Sequence, residues 1–307
     1  MKIIGITGGA GFVGRHLTAL LINKGYDVII FTRNITGKKA IPHVLYAHWD
    51  AEKEICDTVS LGKVDAIVHL AGEGIADKRW TDKRKQEIVG SRVKGTRFLV
   101  SQLKEYAPSC KVLVSASATG FYGPDMSGMI PFKETDAAYT DFLGDTCKRW
   151  EAESEKAQSL MRIVILRFGI VLGKDSGAFK EFEKPMSFGV MPILGSGRQV
   201  VSWIEVDDLA RLILFSIENE LMNGIYNAVA PHPVSHTELM KAIGKEKGGL
   251  KIPVPVPAFI LKIMLGEMSE EVLKSCAVSA DKVLGSGFKF QYPEIDKAVK
   301  GILGKMN

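Results

Sequence analysis

The chain has 307 residues, 46% of them hydrophobic and 24% charged, with 40 Lys and Arg against 35 Asp and Glu for a formal net charge of +5. This is the balance of an ordinary globular protein, and the absence of a dense Lys/Arg stripe interleaved with aromatics argues against a nucleic-acid partner. Cys56, Cys110, Cys147 and Cys276 stand too far apart for a Cys-x-x-Cys metal or disulfide pattern, so no metal is expected.

The first strand begins at once after Met1, leaving no room for a signal peptide, and the apolar run from Pro257 is soon broken by Lys262, short of the ~18 residues a span needs. A cytoplasmic protein without a membrane partner is expected. Ile3, Ile4 and Ile6 form a short apolar run, followed by Thr7-Gly8-Gly9-Ala10-Gly11-Phe12-Val13-Gly14, after which Val13, Leu17, Leu20 and Leu21 recur at helical spacing. Glycines at 8, 11 and 14 between a strand and a helix suit a tight turn, backbone approach to a pyrophosphate and close helix packing. The helix start adds N–H donors and a positive dipole end. The bare spacing is common, and its strand-to-helix setting favours a dinucleotide site over a ligand-free turn.

Residues 27–33 read as a second strand, 44–47 as a third ending near Asp50, and 64–70 as a fourth closed by Ala71 and Gly72. A helix over 82–106 carries Ile88, Val89, Val93 and Val100 on one face; a fifth strand covers 111–115, a helix 141–159 and a sixth strand 162–167. This alternation predicts an α/β fold, a doubly wound parallel sheet of the Rossmann type over 1–172, to which 200–230 returns. Beyond it, 173–250 is expected to form a smaller substrate-side region, with a helix over 206–218 whose Asp207 and Asp208 favour the dipole. Pro253, Pro255 and Pro257 predict a stiff connector into a small helical domain over 251–307.

The end of the second strand discriminates between nucleotides. An acidic residue there would hold both ribose hydroxyls; here Thr32 and Arg33 stand instead, and an arginine offers a cationic fork to a 2′-phosphate. NADP(H) is therefore expected over NAD(H), with a solvated surface arginine as the competing reading.

TGGAGFVG at 7–14, HLAG at 69–72, SASATGFYG at 115–123 and LRFGIVLG at 166–173 resemble the extended short-chain dehydrogenase/reductases, the nucleotide-sugar epimerase group. GEGIADKRWTDKRKQEIVGSR at 72–92, GSGRQVVSWIEVDDLA at 195–210 and the LGEMSEEVLKS stretch narrow the likeness to an atypical epimerase-like subgroup with its own small C-terminal domain. The resemblance implies that Gly8, Gly11, Phe12, Val13 and Gly14 wrap the pyrophosphate and that Arg33, beside Thr32, meets the 2′-phosphate. It further implies that Asp50 takes the adenine amine, that Leu70, Ala71 and Gly72 line the adenosine side with Glu73 just beyond, and that Ser115 and Ala116 lie beneath the nicotinamide.

The departure concerns chemistry. The parent family uses a tyrosine with a lysine four residues on, one face of one helix, so that the cation lowers the phenol's pKa. None of the seven tyrosines has such a lysine, and the aligned positions hold Leu143 and Cys147. Ser117 falls where the family's active-site serine lies, and Tyr122 follows as a candidate proton donor; Lys148 is expected to face solvent, and Cys147 and His69 to pack. Arg92 aligns with the family's asparagine, and Arg92 and Glu87 are expected to pair or to reach the cofactor. The substrate is expected between the nicotinamide and 173–203, with Arg198 as a wall residue and Trp203 in the core. Two readings stay open: an NADP(H)-dependent epimerase-like oxidoreductase acting on a small molecule such as a nucleotide sugar or carbonyl compound, or a catalytically weak or inactive NADPH-binding regulatory or structural protein. Substrate and oligomeric state are open in both.

Overall fold

The computed structural model describes residues 2–125, 130–174 and 177–304; the ends of the expected units at 1 and 305–307, and 175–176 of the substrate-side region, lie outside the described residues. In the first half, β1 (Ile3–Thr7), α1 (Phe12–Asn23), β2 (Asp27–Thr32), β3 (Val44–Asp50), β4 (Ile55–Cys56), α2 (Thr58–Leu61) and β5 (Ala66–His69) lead to the long helix α3 (Asp82–Tyr106), then β6 (Val112–Ala118), α4 (Phe142–Glu155) and β7 (Arg162–Phe168). The second half holds β8 (Ile170–Leu172), α5 (Gly177–Met186), β9 (Val190–Leu194), β10 (Val200–Val201), β11 (Trp203–Glu205), α6 (Val206–Glu218), β12 (Gly224–Ala228), β13 (Val234–Ser235) and α7 (His236–Lys247). It ends with β14 (Ile252–Val256), α8 (Ala258–Leu265), α9 (Met268–Leu273), α10 (Asp281–Gly285) and α11 (Ile295–Gly304).

The central sheet runs β12-β7-β6-β5-β1-β2-β3-β4, parallel throughout except for the β3–β4 edge. Its strands are continuous apolar runs because both faces are covered. Alternation along β2 makes the division visible: Val28 and Ile30 pack with Leu17, Leu21, Leu209 and Ile213 of α1 and α6, whereas Ile29 and Phe31 pack with Leu99 and Leu103 of α3. The doubly wound sheet is thus the observed fold.

The reading of 82–106 and 206–218 as helices coincides with α3 and α6. Thr81 caps α3 by accepting the Arg84 N–H. At α6 the cap is Glu205, which accepts the N–H groups of Asp207 and Asp208, so the expected dipole role is refined. Asp208 is buried, 2.6 Å from Arg211, and accepts the N–H groups of Gln291 and Tyr292; it ties the C-terminal segment to the core.

Two expectations change. The proline-rich connector is a strand, β14, pairing in parallel with β9; Ile252 N–H donates to Gly189 and Gly195 N–H to Val256. Prolines survive here because alternate residues face the outer edge, where a missing N–H breaks no ladder bond. Residues of 173–250 and 251–307 also share one core: Trp203, Leu239 and Ile243 pack with Val299 and Ile302 of α11, and Leu172 of the first unit joins them. Among the described residues no helix is long and apolar enough to cross a membrane.

Candidate functional site: a dinucleotide cleft beside a closed polar network

At the end of β1 the chain reverses at Gly8, whose φ of +72° favours glycine. A Cβ there would stand 2.7 Å from the Leu70 carbonyl carbon, and one at Gly14 would stand 2.5 Å from the Gly9 Cα, so turn, β5 end and α1 are in backbone contact. Gly11 N–H donates to Gly8 at 2.9 Å and Gly11 is the N-cap of α1, with no side-chain cap and no acid in the first turn. Such a helix start presents N–H donors and a positive dipole end to an anion. The cleft above it, with a volume of ≈ 1370 Å³, is lined by Gly8, Thr32, Arg33, Asp50, Gly72 and Glu73 among others. It would accept an extended ligand with a central diphosphate.

The rim is a ladder of charges. The Arg33 side chain is 69% exposed, and its guanidinium lies 3.8 Å from Glu73. Glu73 also meets Arg84 at 3.2 Å; Arg84, nearly buried, bonds Glu87 at 2.9 Å and the Gly74 carbonyl at 2.7 Å. That bond holds the Glu87 carboxyl below the usual carboxylate range. Glu87 therefore pairs with Arg84 and not with Arg92, a correction to the sequence reading. Arg92 lies over the Trp150 ring at 5.2 Å, donates to the Glu73 carbonyl at 2.9 Å, and packs against Gly72. Asp50 uses one carboxylate oxygen to accept the N–H groups of Glu52 and Lys53. Leu70 packs partly into the core, while Ala71, Phe12 and Val13 are half-buried.

The ends of β6 and β7 form a closed network. Ser115 Oγ accepts from Ser154 at 2.9 Å, beside buried Ala116. Ser117 Oγ donates to Glu151 Oε1 at 2.5 Å. Arg167 reaches both Glu151 oxygens at 2.8 Å and the Tyr122 hydroxyl at 2.8 Å, and Tyr122 in turn donates to Asn227 Oδ1 at 2.8 Å. The Tyr122 ring stacks on Phe132, and burial pushes its phenol up to about 12.

Both candidate catalytic residues are thus corrected in placement. Tyr122 is fully buried and Ser117 nearly so, each with its proton committed inside the protein, because a buried Arg–Glu pair needs every neighbouring polar group for compensation. Leu143 and Cys147 are buried, and burial pushes the Cys147 thiol up to about 12. Lys148 and Arg198 face solvent, and Trp203 is in the core with its Nε1 donating to the His232 carbonyl. His69 is buried between the hydroxyls of Thr7 (2.6 Å) and Thr96 (3.0 Å).

Sequence reasoning missed Arg84, Glu151, Arg167 and Lys274. Arg167 was visible as a charge inside the apolar run 162–168, which demands a buried acid nearby. Lys274, which donates to the Tyr122 carbonyl at 3.2 Å and to Glu271 at 2.8 Å, comes from a segment distant in sequence and left no local signal.

The NAD dependent epimerase/dehydratase family model matches residues 4–228, and a domain of unknown function, DUF1731, matches 256–302. The chain is 34% identical over 301 residues to the epimerase family protein YfhF of Bacillus subtilis, covering 98% of this chain and 97% of that one. It is likewise 34% identical over 310 residues to the chloroplastic epimerase family protein SDR39U1 homolog of Arabidopsis thaliana, 98% of this chain and 86% of that one. Among solved structures it is similar to human epimerase family protein SDR39U1 (isoform 2) with NADPH, with a TM-score of 0.88 and 27% identity over 99% of this chain and 100% of that one. The chain belongs to the NAD dependent epimerase/dehydratase family.

Proposed function

We propose that this member of the epimerase/dehydratase family binds NADP(H) in the cleft above the glycine turn and is an epimerase-like oxidoreductase of the cytoplasm. The observation that carries this reading is the pairing of the α1 start behind Gly11, which no side chain caps, with the exposed Arg33 guanidinium at the end of β2. The first suits a pyrophosphate and the second a 2′-phosphate. The human relative solved with NADPH supports the same cofactor class.

In this reading Gly8, Gly11, Phe12, Val13 and Gly14 hold the pyrophosphate, and Thr32 with Arg33 holds the 2′-phosphate. Glu73 counters the arginine, Asp50, Leu70, Ala71 and Gly72 bound the adenosine side, and Ser115 and Ala116 support the nicotinamide from the end of β6. When bound, the nicotinamide supplies the hydride chemistry. The chain's own residues orient the dinucleotide and wall off water on the β6 side; the substrate, a nucleotide sugar or other carbonyl compound, enters toward 173–203.

A second reading, a catalytically weak or inactive NADPH-binding protein, is favoured by one observation: Ser117 and Tyr122 spend their protons on Glu151 and Asn227. Titration of the chain with NADPH and NADH, followed by nucleotide fluorescence, tests the cofactor. Tighter NADPH is expected, and Arg33→Ala should weaken it by ~1.5–3 kcal/mol while sparing NADH; equal or tighter NADH binding overturns the assignment. Oxidation of bound NADPH across a panel of nucleotide sugars and carbonyls supports the enzyme, and tight binding without turnover supports the second reading.

A further inference from the structure

The β9–β14 ribbon and α8 expose apolar side chains that a folded chain ordinarily covers. Phe188 and Leu250, at one end of the ribbon, are each 82% exposed, and Ile252 and Val254 follow along the open strand. Phe188 and Leu250 are neighbours, because Ile252 N–H donates to the Gly189 carbonyl. Directly after β14, α8 exposes Phe259 (66%), Ile263 (70%) and Met264 (66%), and of its eight residues only Leu261 is buried. A helix apolar around its circumference belongs in a covered environment.

We propose that this face docks on an anionic lipid bilayer. Three observations select that occupant. The first is charge: Lys241, Lys245, Lys247, Lys251 and Lys262 stand along this face with Glu246, and of the acids that follow α8, Glu267 and Glu271 are held by Lys85 and Lys274, leaving Glu270. Lys247 and Lys245 have partners in Glu183 and Asp296, whereas no described carboxylate pairs with Lys251 or Lys262, which flank the apolar tips. The second is the strand edge. Pro253 and Pro255 offer no N–H on the outer side of β14, which disfavours pairing with another strand. The third is the exposure itself: Phe259, Ile263 and Met264 each leave about two thirds of their surface open on one short helix, which suits insertion into the headgroup boundary. A two-fold contact between copies would also set these lysines against themselves.

The helix lies on the membrane and does not cross it. Lys262, which breaks the apolar run and rules out a span, is in this setting the cation that meets the headgroups while its stem lies along apolar surface. Among the described residues no helix can span a membrane, and a helix lying on the surface is compatible with that.

Flotation of the full chain with phosphatidylcholine vesicles, with and without phosphatidylserine, tests the proposal. Binding is expected only to the phosphatidylserine vesicles, falling as salt rises, with roughly fivefold weaker binding for each of Lys251→Gln and Lys262→Gln. Phe259→Ser with Ile263→Ser should abolish binding while leaving the thermal melt in place, since both side chains are exposed. The proposal is overturned by absence of binding to the anionic vesicles, by binding that survives the double substitution, or by sedimentation velocity showing a dimer that the same substitution splits.

Discussion

The glycine turn and the end of β6 sit at the same edge of one parallel sheet, only β5 between their strands, yet they are built in opposite ways. The turn offers backbone to solvent: Ala10 and Gly11 are exposed, and α1 begins without a side-chain cap. The end of β6 offers nothing comparable, since Ser117, Glu151, Arg167 and Tyr122 bond one another in the interior. Anion binding needs unspent donors facing outward, and proton transfer needs a side chain with a proton to give. The first requirement is met by geometry at the turn. At the second location the polar groups are spent on stability.

The largest effect comes from breaking the network. Arg167→Met leaves Glu151 buried without its bidentate partner, and urea unfolding should show a loss of ~3–5 kcal/mol. NADPH affinity of the folded fraction should hardly move. A loss near zero would mean the network is not what closes this end.

Legibility in the sequence divides along the same line. The turn could be read because its chemistry is backbone geometry, and glycine positions print backbone geometry directly into the sequence. The strands and α3 could be read because burial on both sheet faces leaves continuous apolar runs and helical spacing leaves a stripe. The network could not, because Ser117, Glu151, Arg167, Tyr122 and Asn227 come from β6, α4, β7, the segment after β6, and β12, and only the folded sheet brings them together. Tyr122 illustrates the cost. A tyrosine near a presumed active site looks like an acid, while its burial against Phe132 is invisible in one dimension. The proline strand β14 was misread for a related reason, since strand pairing with β9 depends on a partner about sixty residues away.

A second test uses pH. Burial holds both His69 and His236 down to about 4, from the usual 6.5. Between those values the unfolded chain takes up protons that the folded chain refuses. The stabilising contribution of each neutral histidine is therefore complete above pH 6.5 and is lost as pH falls toward 4, by up to ~1.4 kcal/mol per unit for each. His69 holds Thr7, the first residue of the glycine turn, to Thr96 of α3, so the turn should loosen in the same window. Chemical denaturation at stepped pH should show the slope, and His69→Gln should remove about half of it. A flat profile from 6.5 to 4.5 would contradict the burial of both rings.

The smallest effect is the most discriminating. Tyr122→Phe keeps the ring on Phe132 and removes only the hydroxyl, so Asn227 Oδ1 loses a donor and Arg167 loses an acceptor. Asn227 retains its bond to the Ser279 carbonyl, and Arg167 retains Glu151 on its other nitrogens. The expected cost is ~1–2 kcal/mol of stability, with NADPH affinity and any measured turnover unchanged. A hydroxyl that served as the proton donor would behave the other way round: turnover would collapse while the unfolding midpoint stayed close to wild type. The two outcomes do not overlap, so a single conservative substitution decides whether the end of β6 is a scaffold for the dinucleotide or a reacting group held in reserve.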